Sequence, residues 1–201
     1  MPSIECNGKY EIIKQKSAWG KSIDIDKSEL KDAIRVAKNA FTNNTSDRWI
    51  ARLLATNNLL LSACRKDTKT AVGFAASEYQ TDECHFVTAF VAKPDRGNGI
   101  YYMLNKLRIS DGLGEGFSVF TVTTQNPNVE RGLLRAINYF IDQGSISSYS
   151  LTRELKRRTL PRMLTPDVPK CPDQNLNEHY LSLNHKKGDA FKLAFSVERR
   201  R

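Results

Sequence analysis

Cysteine and histidine are sparse in this chain of 201 residues. Cys6, Cys64, Cys84 and Cys171 are scattered and form no CxxC pair, and the only histidines are His85, His179 and His185. A zinc site draws on Cys and His clustered at short, fixed spacings, so no metal is expected. Scattered thiols read as free thiols of a reducing compartment. No run of about 18 apolar residues exists, so no membrane span is expected. The opening stretch MPSIECNGKYEIIKQK lacks the apolar core of a secretory signal, which makes the cytoplasm the expected location. There is no internal repeat and no low-complexity tract. Acidic residues are also short: 22 Asp and Glu face 31 Lys and Arg, giving a formal charge of +9. The imbalance is greatest over 151–201, with 12 basic against 6 acidic residues. Such a tail attracts nucleic acid, acidic protein faces or polyphosphates, yet it also suits a plain solvated surface.

The length fits one domain, 1–201, able to bury roughly 70% of the surface its unfolded chain exposes. Leu30, Ala33, Ile34, Ala37 and Phe41 recur at helical spacing and predict a helix over 26–42. Asp26 with Glu29 has the form of a capping box, with Ser28 a rival cap. A shorter helical stretch follows at 46–55. Strands are predicted at 59–64, 71–79 and 84–91, the first two joined by a hairpin at 66–69. Past Pro94 a helix with the apolar stripe Ile100, Met103, Leu104 and Leu107 stops at Gly112. A strand over 117–123 comes next. Asn126-Pro127 then reads as a cap with proline at the first helical position. Val129, Leu133, Ala136, Ile137 and Phe140 line that helix as far as Gly144. Residues 146–151, 180–183 and 191–197 are further strand candidates, the first two separated by a basic, proline-containing loop at about 153–177. The strand–helix–strand unit at 84–123 calls for one parallel pairing, and the hairpins call for antiparallel ones. The fold class is α/β (α+β), a mixed sheet with helices on both faces.

Arg96-Gly97-Asn98-Gly99 sits between a strand and a helix. Glycines let a backbone approach a ligand closely, and the first helical turn offers unpaired N–H groups at the positive end of the dipole. That is an anion site suited to pyrophosphate. The P-loop string GxxxxGK[ST] is absent, and GxGxxG would need glycine at position 102, which is Tyr102.

Val91-x-x-Pro94-x-Arg96-Gly97-x-Gly99-Ile100 resembles the central [QR]-x-x-G-x-[GA] motif of the GNAT N-acetyltransferases. Ala71 to Ala75 resembles that family's third strand, and Val122 to Asn126 the end of its fifth. The resemblance covers about 28–145. It implies a mostly antiparallel sheet of about seven strands and acetyl-CoA as cosubstrate. It places the pyrophosphate on Arg96, Gly97, Asn98, Gly99, Ile100 and Tyr101, with Asn126 nearby. Phe90 and Val91 would offer backbone groups to the pantetheine arm where the fourth and fifth strands splay. Two departures stand out. The motif's last position is Tyr101 rather than Gly or Ala. The helix after Asn126 is about two turns longer than usual, which displaces a tyrosine many members carry and puts Leu133 or Leu134 there.

Acyl transfer from a thioester to an amine needs a neutral amine, hence a base, and benefits from an acid at the departing thiolate. His85 is the first candidate base: it titrates near neutrality and shares a predicted face with Glu83, Val87 and Ala89. Glu83 is the reserve. Read blandly, His85 is a packed histidine and Glu83 a surface charge at a hairpin end. Tyr139 is the candidate acid, although an aromatic at helical spacing is ordinarily core. Cys84 should face away from His85, which disfavours a Cys–His pair. The acceptor would be a protein amine, an aminoacyl-tRNA or a small amine. Arg153, Lys156, Arg157, Arg158 and Arg162 favour an acidic macromolecule. A homodimer is compatible with all of this. The alternative is an inactive GNAT-fold binding module that uses its basic surface for nucleic acid or an acidic protein.

Overall fold

The computed structural model describes residues 3–18, 21, 23–40, 47, 50–51, 57–124, 126–156 and 190–200. It opens with a hairpin absent from the sequence reading: β1 (Ser3–Cys6) and β2 (Tyr10–Lys16). The turn residues Asn7 and Gly8 have φ of 54° and 65°. The connection Asn7-Gly8-Lys9 is three residues long, since Cys6 pairs with Tyr10, and Asn and Gly are the residues that adopt the left-handed region at least cost.

Six more strands follow: β3 (Leu59–Arg65), β4 (Ala71–Tyr79), β5 (Cys84–Val91), β6 (Val119–Thr124), β7 (Ile146–Lys156) and β8 (Ala190–Arg199). They form one eight-stranded sheet in the order β1-β2-β3-β4-β5-β6-β8-β7, one strand more than the expected seven. Every pairing is antiparallel except β5 with β6, the parallel pair expected from the strand–helix–strand unit. The strand candidate at 180–183 lies outside the described residues.

Among the described residues three helices cover the sheet: α1 (Lys27–Ala40), α2 (Ile100–Gly114) and α3 (Pro127–Asp142), and the helical stretch expected at 46–55 lies mostly outside those residues. Asp26 wins the cap of α1: its Oδ1 accepts from Ser28 N and Glu29 N at 2.7 and 2.8 Å. Glu29 does not reach back to complete a capping box; it accepts from Gln15 and Ser62 on the sheet. α1 buries Ala33, Val36 and Ala37 against Phe74, Ala76 and Phe90 on one face. On the other face α2 and α3 bury Ile100, Leu104, Leu133 and Phe140 against Phe86, Phe120 and Phe195. Each fully buried side chain of this kind contributes about 1.5–3 kcal/mol. α2 also turns Asn105, Arg108 and Asp111 inward, although the apolar pattern alone would leave those positions outside.

Two irregularities shape the middle of the sheet. The β4–β5 register shifts between Ala76 and Ser77, which pair with Thr88 and Phe86, so Val87 is an extra residue, a β-bulge. The β5–β6 pairing ends at Phe86 and Val122, so the two strands diverge beyond it. Because side chains alternate with period two, one extra residue inverts the alternation. Cys84 and Phe86 lie on the α2 face, as do Ala89 and Val91, and Phe90 lies on the α1 face. The predicted common face of Glu83, His85, Val87 and Ala89 therefore breaks at the bulge: Ala89 lies opposite His85.

Candidate active site

The segment between β5 and α2 is held largely by side chains, which leaves the N–H groups from Gly97 onward free. A 3-10 turn at Lys93–Asp95 leads into it. Asp95 is buried and accepts from Arg65 Nε at 2.9 Å and from Tyr10 Oη at 3.2 Å. Arg96 donates from Nε to Val91 O at 3.2 Å and from Nη2 to Ala40 O, at the end of α1, at 2.6 Å. Asn98 Nδ2 donates to Asp95 O at 3.1 Å. Gly97 and Gly99 have φ of 84° and 77°, and nothing lies within 4 Å of where their Cβ atoms would be. Gly99 is the N-cap of α2, whose first backbone bond runs from Met103 N to Gly99 O. No protein acceptor among the described residues meets the N–H groups of Gly97, Asn98, Gly99, Ile100, Tyr101 or Tyr102. The result is an ordered row of donors at a helix N-terminus, the geometry that holds a pyrophosphate.

This row opens into a cleft of about 340 Å³ between α2 and α3, lined also by Val91, Tyr102, Asn128, Arg131, Gly132 and Arg135. Arg135 stacks its guanidinium 4.6 Å from the Tyr102 ring centre. The sequence reading missed Arg131 and Arg135, because it followed only the apolar face of α3. Their i, i+4 spacing beside a glycine was the available signal. Tyr101 swings over Gly132, where a Cβ would stand 2.7 Å from the Tyr101 ring. The bulky residue in the glycine-rich turn is thus accommodated by a missing side chain on the facing helix.

The gap between β5 and β6 adjoins the cleft at Val91, which lines it. Ala92 N donates to Val72 O at 2.8 Å, which fixes the alternation along β5. Phe90 turns its backbone groups toward β4, whereas Ala89 and Val91 turn theirs toward the gap. Ala89 thus replaces Phe90 as the residue whose backbone faces an inserted ligand. The Phe90 side chain is buried on the α1 face, with ring centres 5.9 Å from Phe74.

At the closed end of the gap, on the α1 face, lies a polar cluster. His85 pairs with Thr121 in the β5–β6 register. Thr121 Oγ1 lies 2.7 Å from Glu83 Oε1 and 2.8 Å from His85 Nδ1, and Lys192 Nζ lies 3.3 Å from Glu83 Oε2. A carboxylate only accepts, so the Thr121 hydroxyl donates to Glu83 and accepts Nδ1–H of His85. That assignment leaves Nε2 as the basic nitrogen of a neutral ring. Burial holds the His85 pKa below its ordinary value, against an opposing pull from Glu83 and Glu78. Both His85 and Glu83 keep 22% of their side chains exposed, so the pair is reachable. Cys84 faces the other way, as expected, and burial pushes its thiol up to about 12.

No family model matches the chain, and no curated protein matches it. Solved structures do. The ribosomal-protein-S18-alanine N-acetyltransferase from Escherichia coli is 11% identical with a TM-score of 0.59, over 94% of this chain and 96% of that one. Ard1 from Thermoplasma volcanium is 11% identical with a TM-score of 0.54, over 94% and 99%. A Bacillus subtilis acetyltransferase in complex with CoA is 12% identical with a TM-score of 0.53, over 89% and 97%.

The fold is that of the GNAT N-acetyltransferases. At these identities the likeness establishes architecture. Several anticipated GNAT positions nevertheless take other work. The Arg96 side chain is spent on Val91 and Ala40, so only its place in the backbone serves the turn. Asn126 caps α3, its Oδ1 accepting from Asn128 N at 2.9 Å, and Asn128 rather than Asn126 lines the cleft. Tyr139 lies on α3 two turns beyond Gly132, under Lys106 at 3.5 Å, and does not line the cleft. Arg153 sits in β7 and donates to the buried Glu130, instead of standing free in a loop. Arg157, Arg158 and Arg162 lie outside the described residues, as does the Pro-containing stretch of the loop. No helix among the described residues is long and apolar enough to cross a membrane.

Proposed function

We propose that the chain transfers the acetyl group of acetyl-CoA to a primary amine, with His85 as the base. The observation that carries this reading is the continuity of three parts: the N–H row at 97–102, the open backbone edge of Ala89 and Val91, and His85 Nε2 at the closed end. Five strand residues, 87–91, span roughly 16 Å. The pantetheine arm, about a dozen bonds long, extends a similar distance. An arm anchored by its pyrophosphate at Gly97 to Tyr101 would thus reach the closed end beside His85. Bound there, the cosubstrate supplies an activated acyl carbon.

The chain's own residues then do three things. Gly97, Gly99 and the first turn of α2 neutralise phosphate charge without ordering cost, because Arg65, Asp95 and Arg96 already fix the loop. Ala89, together with the N–H of Val91, aligns the arm by backbone bonding, the Val91 carbonyl being taken by Arg96. His85 Nε2 takes the proton of the incoming amine, while Thr121 and Glu83 hold the ring in the tautomer that can accept it. Glu83, tied to Lys192, acts through Thr121 and is a positioning residue in this arrangement, not a second base.

Acetyl-CoA should raise the melting temperature of the chain, because it binds only the folded state. Gly99→Glu should abolish that shift by placing a negative side chain in the cradle. An undiminished shift in this variant would put the cosubstrate elsewhere. Turnover is then read by incubating labelled acetyl-CoA with a panel of proteins, tRNA and small amines. Binding without turnover across that panel would favour the inactive binding module.

A further inference from the structure

Arg108 is the largest fully buried side chain among the described residues, 2% exposed, and no carboxylate among them pairs with it. It projects from α2 to the end of the β5–β6 pairing. Nη1 donates to Thr88 O at 3.1 Å and more weakly to Ala76 O at 3.4 Å, and Nη2 donates to Asn105 Oδ1. The guanidinium carbon lies 4.2 Å from the centre of the Phe86 ring. Nε–H meets no acceptor among the described residues. Thr88 and Ala76 are the residues where the bulge at Val87 disturbs the β4–β5 ladder, so Arg108 satisfies carbonyls that the bulge leaves exposed. A neutral donor could do that. Burying a cation without a counter-charge costs far more than burying an amide, and the Phe86 ring and neutral acceptors offset only part of that cost, which leaves the cation poised to meet an anion formed nearby.

The acetyl transfer proposed above generates such an anion, and this inference rests on that reading. His85 lies on the α1 face of the closed end and Arg108 on the α2 face. The amine must approach from the His85 side. As the C–N bond forms, the C–S bond breaks away from the incoming nitrogen and its electron pair stays on sulfur. The amine's proton passes to His85 Nε2, and the released thiolate is later protonated from solvent. Tyr139 lies under Lys106 and does not serve this end of the cleft, and the phenol beside Arg108, that of Tyr101, has its pKa held above the ordinary value by burial, which makes it a poor proton donor. We propose that Arg108 is the electrostatic partner of the leaving thiolate, a fixed buried cation in place of an acid. In a dry environment such a charge acts over several ångströms without direct contact.

The test is the titration of CoA bound to the full chain, followed by the thiolate absorbance in the ultraviolet. In the wild type the bound thiol should titrate below free CoA by about one pH unit or more, as thiols do beside a fixed cation. Arg108→Gln, which keeps donors for Thr88 and Ala76, should lose that displacement, and Arg108→Lys should keep part of it. Acetyl-CoA, which has no titrating thiol, should bind Arg108→Gln nearly as well as wild type. A wild-type titration that coincides with free CoA overturns the proposal without any variant, even if Arg108→Gln does not fold. So does a displacement that persists in a folded Arg108→Gln. CoA that fails to bind at all overturns the cosubstrate reading first, and this inference with it.

Discussion

Gly132→Ala is a one-methyl perturbation whose sign depends on a residue of a different helix. In α3 alone the exchange should help, because alanine exceeds glycine by about 1 kcal/mol in a helix interior. The facing residue reverses this. The new Cβ would stand 2.7 Å from Tyr101 Cε1 and 3.2 Å from Cδ1, closer than carbon atoms tolerate. Tyr101 interacts with Asn105 and is packed against the core, so moving its ring aside carries a cost. Overpacking of this kind costs about 1–3 kcal/mol. The net expectation is a loss of about 1 kcal/mol, or roughly 2–4 °C in melting temperature for a chain of this size. In a Tyr101→Ala background, itself destabilised by the lost ring, the clash vanishes, and Gly132→Ala should become neutral or stabilising by up to about 1 kcal/mol. Thermal melting of the four proteins closes the cycle, with a coupling energy expected in the range of about 1–3 kcal/mol. A Gly132→Ala protein that melts at or above wild type would refute the reasoning, as would a penalty that is unchanged without the Tyr101 ring.

His85→Ala should lower turnover by roughly 10²-fold with acetyl-CoA affinity little changed; activity near wild type would make His85 structural. Because burial keeps the folded His85 pKa below its ordinary 6.5, the neutral base should persist through neutrality and be lost only as pH falls below that value. A plot of turnover against pH should therefore show its acid limb under 6.5, and an acid limb above it would contradict the assignment. Arg65→Met removes a charged partner of Asp95 and should weaken acetyl-CoA binding with little effect on turnover at saturation, as read by titration calorimetry and steady-state rates. Replacing Arg157, Arg158 and Arg162 with Ser should raise the acceptor's KM and flatten its salt dependence; an unaltered KM across low and moderate salt would point to a small neutral amine.

The architecture was legible where one local pattern dominated. The α1 and α3 stripes, the cap at Asn126 and the Arg96-Gly97-Asn98-Gly99 turn follow from periodicity and turn chemistry alone. The first hairpin was marked only by Asn7-Gly8, a signal two residues long. What failed to show in the sequence depends on partners distant along the chain. A bulge has no composition of its own, and Val87 reads as an ordinary strand residue, so the faces of β5 were assigned one residue out of phase. Lys192 reaches Glu83 across 109 positions, and Thr121 joins His85 only because β5 and β6 pair in parallel. Tyr101 reads in the sequence as a departure within the turn, and only Gly132 on the facing helix makes room for it.

The extra residue in β5 also bears on how this chain tolerates insertions and deletions. Because Phe86 pairs with Ser77 and Thr88 with Ala76, deleting Val87 would leave every remaining side chain on its present face and restore a regular ladder. A lineage could shed that codon and still fold. The straightened strand would run on beside β6, the gap between the two strands would close, and Arg108 would be left with carbonyls already paired. The length of this strand is therefore a trait that selection on folding alone would not preserve, and it separates the persistence of the scaffold from the persistence of the activity.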